Sequence, residues 1–295
     1  MGAPSTTSDF SLGIDLGGTK IEGVVLDAKR DVVVRERIPT EQEGGYEHIV
    51  ERVAGLVERL RAHAPRCARV GIGTPGAVTT GGATKNSNTE CLNGRTLHAD
   101  LERRIGLPVA MENDANCFAL AEALAGSGRG HDMVFGVILG TGCGGGIVFR
   151  GEIWSGPQHI AGEWGHHSID PAGPHCYCGQ HGCVETLISG PALERAYRGE
   201  LARAAAGDGP AEEFPHRTAP ARAEEIAILA AGGDPLATRV LDRYVEHFGR
   251  ALANLIAILD PSVVVLGGGL SNLDVLYTRG REAVARAVFN VLSLH

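Results

Sequence analysis

Asp15-Leu16-Gly17-Gly18-Thr19-Lys20 stands between two apolar runs, Phe10 to Leu16 before it and Ile21 to Leu26 after it. The same pattern returns halfway along the chain. Val134 to Leu139 is an apolar run, Gly140-Thr141-Gly142-Cys143-Gly144-Gly145-Gly146 breaks it, and Ile147-Val148-Phe149 resumes it. Each is a strand, a Gly-Thr turn and a return strand. Two such hairpins, each opening one half of the chain, predict two similar α/β lobes. The boundary falls near Asp114, giving an N-terminal lobe 1–114 and a C-terminal lobe 115–295.

Outward from the first hairpin, Val32-Val33-Val34 starts a third strand. Tyr46 to Ala62 places Ile49, Val53, Leu56, Val57 and Leu60 on one helical face. Val70 to Gly73 is a short buried strand stopped by Thr74-Pro75-Gly76. Val109-Ala110-Met111 runs into Asn113-Asp114 and then a helix from Ala115 to Ala125. Beyond the second hairpin, Arg198 to Arg222 is rich in Ala, Gly and Pro and predicts a surface excursion. A long helix from about Pro235 to Leu259, a strand from Ser262 to Leu266, the Gly267-Gly268-Gly269 turn and a helix to about Leu292 complete the pattern.

The 295 residues carry 27 basic and 35 acidic side chains, a net charge of −8, with 43% apolar and 21% charged residues. That balance suits a chain with a sizeable core and argues against general binding to nucleic acid or to membrane surfaces. No apolar run reaches the roughly 18 residues of a spanning helix, and Met1 to Ser8 lacks the regions of a secretory signal. Seven cysteines, an odd number, fit a reducing, cytoplasmic setting. Glycine is the outlier: 42 residues, about twice the usual share, with tight clusters in the three turns. Glycine turns can expose successive N–H groups that bind anions. Thr19 adds a hydroxyl, and Asp15 a carboxylate suited to hydrated Mg²⁺. For the first hairpin alone an ordinary turn explains the sequence equally well. Three turns together point to a nucleotide gripped between lobes. None is a P-loop or a dinucleotide fingerprint.

Cys176, Cys178 and Cys183 lie within eighteen residues of His166. Three thiolates and one imidazole fit a closed, structural zinc site. His167, His175 and His181 compete for the imidazole position. Cys67, Cys91, Cys117 and Cys143 are scattered and read as small buried hydrophobes. Asp114 opens a helix, where it either caps the N-terminus or serves as a general base on a rigid element. Glu163 and Glu185 flank the cysteine loop, and carboxylates suit vicinal sugar hydroxyls.

These residues together resemble the ROK family of bacterial sugar kinases and repressors, over about residues 11 to 290. Asp15 to Lys20 and Gly140 to Gly146 are similar to its two phosphate motifs, with Gly17, Gly18, Thr19, Gly140, Thr141, Gly142, Gly144 and Gly145 toward the nucleotide. Asn113-Asp114-Ala115-Asn116 resembles its catalytic segment. Gly162 to His166 with Cys176 to Glu185 resembles its zinc and sugar signature, and Leu266 to Leu270, including Gly267, Gly268 and Gly269, its adenosine turn. The resemblance implies a two-lobed, actin-like, hexokinase-type (ribonuclease H-like) ATPase fold, with ATP and Mg²⁺ as cofactors beside structural Zn²⁺. It implies Asp114 as the base toward a hexose hydroxyl. Asn113, Glu163, His166 and Glu185 would hold the sugar, with His166, Cys176, Cys178 and Cys183 on zinc. Partners would be a hexose and ATP, with a homodimer as a family expectation.

Lys85 to Asn88 and Cys91 to Gly94, together with Gly142 to Gly144, Ala161 to His166 and Val184 to Gly190, look most like the bacterial fructokinase (mannokinase) branch, which implies fructose 6-phosphate as product. N-acetylglucosamine kinase and glucokinase are the alternatives. A sugar-responsive repressor is disfavoured, because about nine residues precede the first strand where a helix-turn-helix domain would stand. The chain ends at Val291 to His295, where similar kinases run on for about a strand and a helix. Weakened lobe closure and stability would follow.

Overall fold

A computed structural model describes residues 10–79, 81–206 and 222–289. Met1 to Asp9, most of the proposed surface excursion and the segment from Asn290 onward lie outside the described residues. The chain divides into two compact units, Met1–Cys117 with Ser155–Ile160, and Phe118–Trp154 with Ala161–His295. The division lies three residues beyond Asp114, and the short 155–160 segment belongs with the first unit.

In the first unit, β1 (Phe10–Leu16) pairs antiparallel with β2 (Lys20–Asp27), which pairs with β3 (Val32–Pro39). On its other side β1 runs parallel to β4 (Val70–Thr74), and β4 parallel to β7 (Val109–Asn113), giving the order β3-β2-β1-β4-β7. A two-stranded piece, β5 (Ala77–Val78) with β6 (Thr84–Lys85), stands apart. Helix α1 (Gly45–Arg61) buries Ile49, Val53, Leu56, Val57 and Leu60, the face that the sequence period marks. It closes against β2 because Gly23 lacks a Cβ, which would meet Leu60 Cδ1 at 2.3 Å. Leu12, Ile14, Ile21, Val25 and Ile72 complete this core. Helix α2 (Leu97–Ile105) buries only Leu97 and Leu101, too faint a stripe to read from sequence. Helix α3 (Asp114–Ala125) starts directly on the end of β7.

The second unit repeats the plan with β10 (Glu152–Ile153), β9 (Cys143–Phe149), β8 (Met133–Leu139) and β11 (Val263–Gly267), in the order β10-β9-β8-β11. Strands β8 and β9 are antiparallel, β11 and β8 parallel. Helix α4 (Val184–Ile188) leads into α5 (Gly190–Ala205), capped by Ser189, whose hydroxyl accepts from Ala192 N–H at 3.2 Å. Residues 198–205 are therefore helical rather than part of an excursion, since Leu201 and Ala204 pack against the core and continue the face begun by Leu193 and Tyr197. After α6 (Ala223–Ala231), α7 (Pro235–Leu259) has the extent its periodicity predicts. Asp234 accepts from Ala237 N–H at 2.8 Å, Pro235 sits in the first turn, and Asp260 ends the helix in a left-handed conformation. Beyond β11 the chain makes a 3₁₀ turn, Gly269–Asn272. The final helix is short: a π-helical turn Leu276–Gly280 and then α8 (Arg281–Ala287). The described residues contain no helix long and apolar enough to cross a membrane.

Candidate active site

Ligands of parallel sheets gather at the carboxyl ends of the strands. In the first unit Asp15 pairs with Gly73 and Thr74 with Asn113, so the first glycine turn, Thr74-Pro75-Gly76 and Asn113-Asp114 share one sheet end. The turn is closed by Gly17 N–H to Lys20 O at 3.0 Å. It is braced by Thr40, whose hydroxyl donates to Gly17 O at 2.6 Å. Neither Gly17 nor Gly18 takes a left-handed φ. A Cβ on Gly18 would press on Thr89 Oγ1 at 3.3 Å, so close packing rather than backbone freedom calls for glycine there.

Asn113 and Asp114 are held differently from a bare helix cap. Asn113 Oδ1 accepts from Ala115 N–H at 2.9 Å, and its Nδ2 donates to Gly76 O at 3.0 Å. Glu112 accepts from the Asn113 N–H at 2.9 Å and from Asn116 Nδ2 at 3.1 Å. The amide of Asn113 thus does the capping, alongside an Asp114 Oδ1 contact to Ala115 N–H at 2.8 Å. Desolvation at this sheet end raises Asp15 above the usual carboxylate range, with Lys20 opposing it. Cys117 is pushed up to about 12 by burial and then by the charges of Glu112, Asp114 and Asp15. It stays a neutral thiol, as a small hydrophobe should.

In the second unit the second glycine turn lies beside the third. Gly267 pairs with Ile138, and a Cβ on Gly268 would meet Leu139 O at 2.3 Å. Gly140, Gly142 and Gly144 to Gly146 again avoid left-handed φ, whereas Gly268 takes φ 81°. Two glycines of that turn, Gly142 and Gly145, serve close approach, whereas a Cβ on Gly140 would meet nothing within 4 Å. A Cβ on Gly145 would meet Trp164 Cδ1 at 2.4 Å, and one on Gly142 the Glu185 carboxylate at 2.5 Å. Cys143 N–H donates to that same Glu185 oxygen at 3.0 Å, and Trp164 Nε1–H donates to Gly144 O at 2.9 Å. The segment carrying Glu163 and His166 is therefore pinned to β9, and so is the carboxylate of Glu185.

His166 Nδ1 lies 3.5 Å from Cys176 Sγ, and Cys178 Sγ lies 3.6 Å from Cys183 Sγ. All four donor atoms fall within 4.8 Å of one another. Tetrahedral zinc with bonds of about 2.0–2.3 Å requires donors roughly 3.5–3.8 Å apart, so the residues fit that ion. The rival histidines are elsewhere: His175 and His181 meet edge-on with ring centroids 5.2 Å apart, and His167 faces Asn254. Zinc here would hold the loop and fix the ring of His166. Tyr177 Oη lies 2.9 Å from His166 Nε2. Desolvation of its hydroxyl, then the charges of Glu185, Cys176 and Glu163, push it up to about 12. Sequence reasoning passed over Tyr177; its only signal was a bulky aromatic set between two ligand positions. Lys85 to Asn88 and Cys91 to Gly94 form a loop joined by reciprocal bonds between Ser87 and Asn93, each 2.9 Å.

An N-acetyl-D-glucosamine kinase of Photobacterium profundum is 37% identical over 290 residues, 95% of this chain and 90% of that protein. The crystal structure of a ROK hexokinase from Thermus thermophilus superposes with TM-score 0.79 at 34% identity, covering 94% of this chain and 88% of the other. A ROK family glucokinase from Streptomyces griseus, solved in complex with glucose and AMPPNP, gives 0.75 at 31% identity, covering 95% and 90%. The fold is the two-unit α/β arrangement of the actin-like, hexokinase type. The ROK family profile matches residues 11–294, and the chain belongs to the ROK family.

Proposed function

We propose that this chain transfers the γ-phosphate of magnesium-bound ATP to a hydroxyl of N-acetylglucosamine. The coarse chemistry is that of its family, an ATP-dependent sugar kinase acting on a hexose. The choice of hexose is carried by the Photobacterium profundum relative, 37% identical along nearly the whole chain. The fructokinase resemblance rested on Gly142 to Gly144, Ala161 to His166 and Val184 to Gly190, and on Lys85 to Asn88 and Cys91 to Gly94, a loop that the Asn93 side chain ties to the Ser87 backbone. It therefore carries less weight than the relative.

In this reading Asp114 takes the proton of the attacking hydroxyl, and Asn113, Glu163, His166 and Glu185 hold the sugar. The N–H groups of the turns at Gly17-Gly18, Gly140 to Gly145 and Gly267 to Gly269 cradle the nucleotide. Thr19 and Lys20 add polar contacts, and Asp15 faces the hydrated Mg²⁺. Phosphoryl transfer asks mainly for positioning and charge neutralisation, which such turns supply without covalent chemistry. Zinc on His166, Cys176, Cys178 and Cys183 is structural in this account.

A coupled ADP-release assay with N-acetylglucosamine, N-acetylgalactosamine, glucose, mannose and fructose tests it. The expected result is the highest kcat/KM with N-acetylglucosamine. A preference for fructose would overturn the choice of sugar, and no turnover with any hexose would overturn the kinase reading.

A further inference from the structure

Tyr177 is a side chain of the cysteine loop that the metal cluster does not use. It stands between two ligand positions, Cys176 and Cys178, and Gly179 N–H closes the turn onto Cys176 O at 2.9 Å. Its backbone is thus held from both sides. The residue as a whole, in contrast, is 71% exposed, and its ring meets the His166 imidazole edge-on, with centroids 5.0 Å apart and planes at 82°.

The tautomer follows from the cluster. His166 Nδ1 faces Cys176 Sγ at 3.5 Å, on the side where its lone pair would meet a metal. A neutral imidazole then carries its hydrogen on Nε2 and donates it. Tyr177 Oη, 2.9 Å away, is the acceptor. That same N–H is what the proposed function offers to a sugar hydroxyl. One N–H cannot serve two acceptors at full strength.

We propose that Tyr177 is a positioning residue that occupies the sugar's place on His166 Nε2 and must swing out before the sugar binds. This rests on the reading of His166 as a sugar ligand. The exposed ring rotates without opening any core, and the clamped backbone returns it to the same place. The closed form lowers apparent affinity by the fraction of molecules in which the ring is out. A single hydrogen bond of ordinary net strength makes that factor roughly 2–10.

The test is calorimetric titration of the metal-loaded protein with N-acetylglucosamine in the absence of ATP, with zinc content measured alongside. Tyr177→Phe keeps the ring and removes the competing oxygen. It should bind the sugar roughly 2–10-fold tighter, with an equal fall in KM rather than a change in kcat, and with unchanged zinc content. Tyr177→Ala should tighten binding in the same direction. An unchanged dissociation constant in Tyr177→Phe overturns the proposal. Weaker binding overturns it too, because the hydroxyl would then be a direct sugar contact. A wild-type protein that turns over hexoses while Tyr177→Phe binds like it rejects the plug alone. Absence of heat and turnover with every hexose rejects the kinase reading along with it.

Discussion

Gly268 and Gly269 are chemically identical neighbours for which the structure predicts opposite responses to alanine. Gly268 has φ 81° and ψ 175°, a region open essentially to glycine alone, where another residue costs about 1–3 kcal/mol. Its added Cβ would also lie 2.3 Å from Leu139 O and 2.8 Å from Leu139 C. Those are backbone atoms of β8, so no rotamer change relieves the clash, and forced displacement adds about 1–3 kcal/mol. The sum for Gly268→Ala is about 2–6 kcal/mol of destabilisation. Gly269 has no left-handed φ, and its added Cβ meets nothing within 4 Å, so Gly269→Ala should stay within about 0.5 kcal/mol of wild type.

For a unit of about 170 residues, the larger figure corresponds to a fall in Tm of roughly 5–20 °C. Urea unfolding followed by far-UV circular dichroism gives the free energies, and a thermal scan the Tm. Because the displaced atoms end β8 next to Gly140, Gly268→Ala should also raise the KM for ATP. Equal stability of the two variants, or a Gly268→Ala variant indistinguishable from wild type, would refute the close-approach account of this turn.

Asp114→Asn should lower kcat by about 10²–10⁴-fold while the sugar still binds in calorimetry; undiminished turnover would remove it as the base. Asp15 has its pKa raised from the ordinary 3.8, so the stability it contributes is full below that value and is lost as pH rises through the raised one. Asp15→Asn should therefore match the wild-type Tm near pH 3.5 and exceed it at pH 7, while losing magnesium-ATP turnover; a lower Tm at pH 7 contradicts this. Cys176→Ser should lose zinc by elemental analysis and lower the Tm, since three donors would remain to close the loop. Metal-free wild type with an unchanged Tm would reject the site.

The parts of the fold visible in sequence are those with strong local periodicity. Helix α7 shows both its caps, Asp234 and Pro235 at one end and Asp260 at the other, and a buried face along its length. The repeated hairpin announced two similar units. Helix α2 was not visible because Leu97 and Leu101 alone carry its burial, and the second half of α5 was taken for an excursion because its last turn is made of Ala and Arg. At the candidate site, residue types and spacing pick out the three cysteines and a nearby histidine, and the family resemblance selects His166. Spacing alone leaves His175 open, because that choice depends on where the chain folds back. The glycines were found for a partly mistaken reason. Left-handed turns explain Gly268, but Gly142 and Gly145 are there to admit Glu185 and Trp164, atoms 43 and 19 positions away in the chain. Distant contacts of that kind leave no local trace.

The contact of Glu185 with Gly142 and Cys143 has a consequence for how such a protein can change over generations. The phosphate turn and the sugar signature read as two separate motifs, yet the missing side chain at 142 is the space the carboxylate of Glu185 fills. A lineage that shortened residue 185 would remove the reason to keep glycine at 142. One that first enlarged residue 142 would expel Glu185 from the Cys143 N–H. The contact couples the two positions, so a change at either one alters what the other can hold.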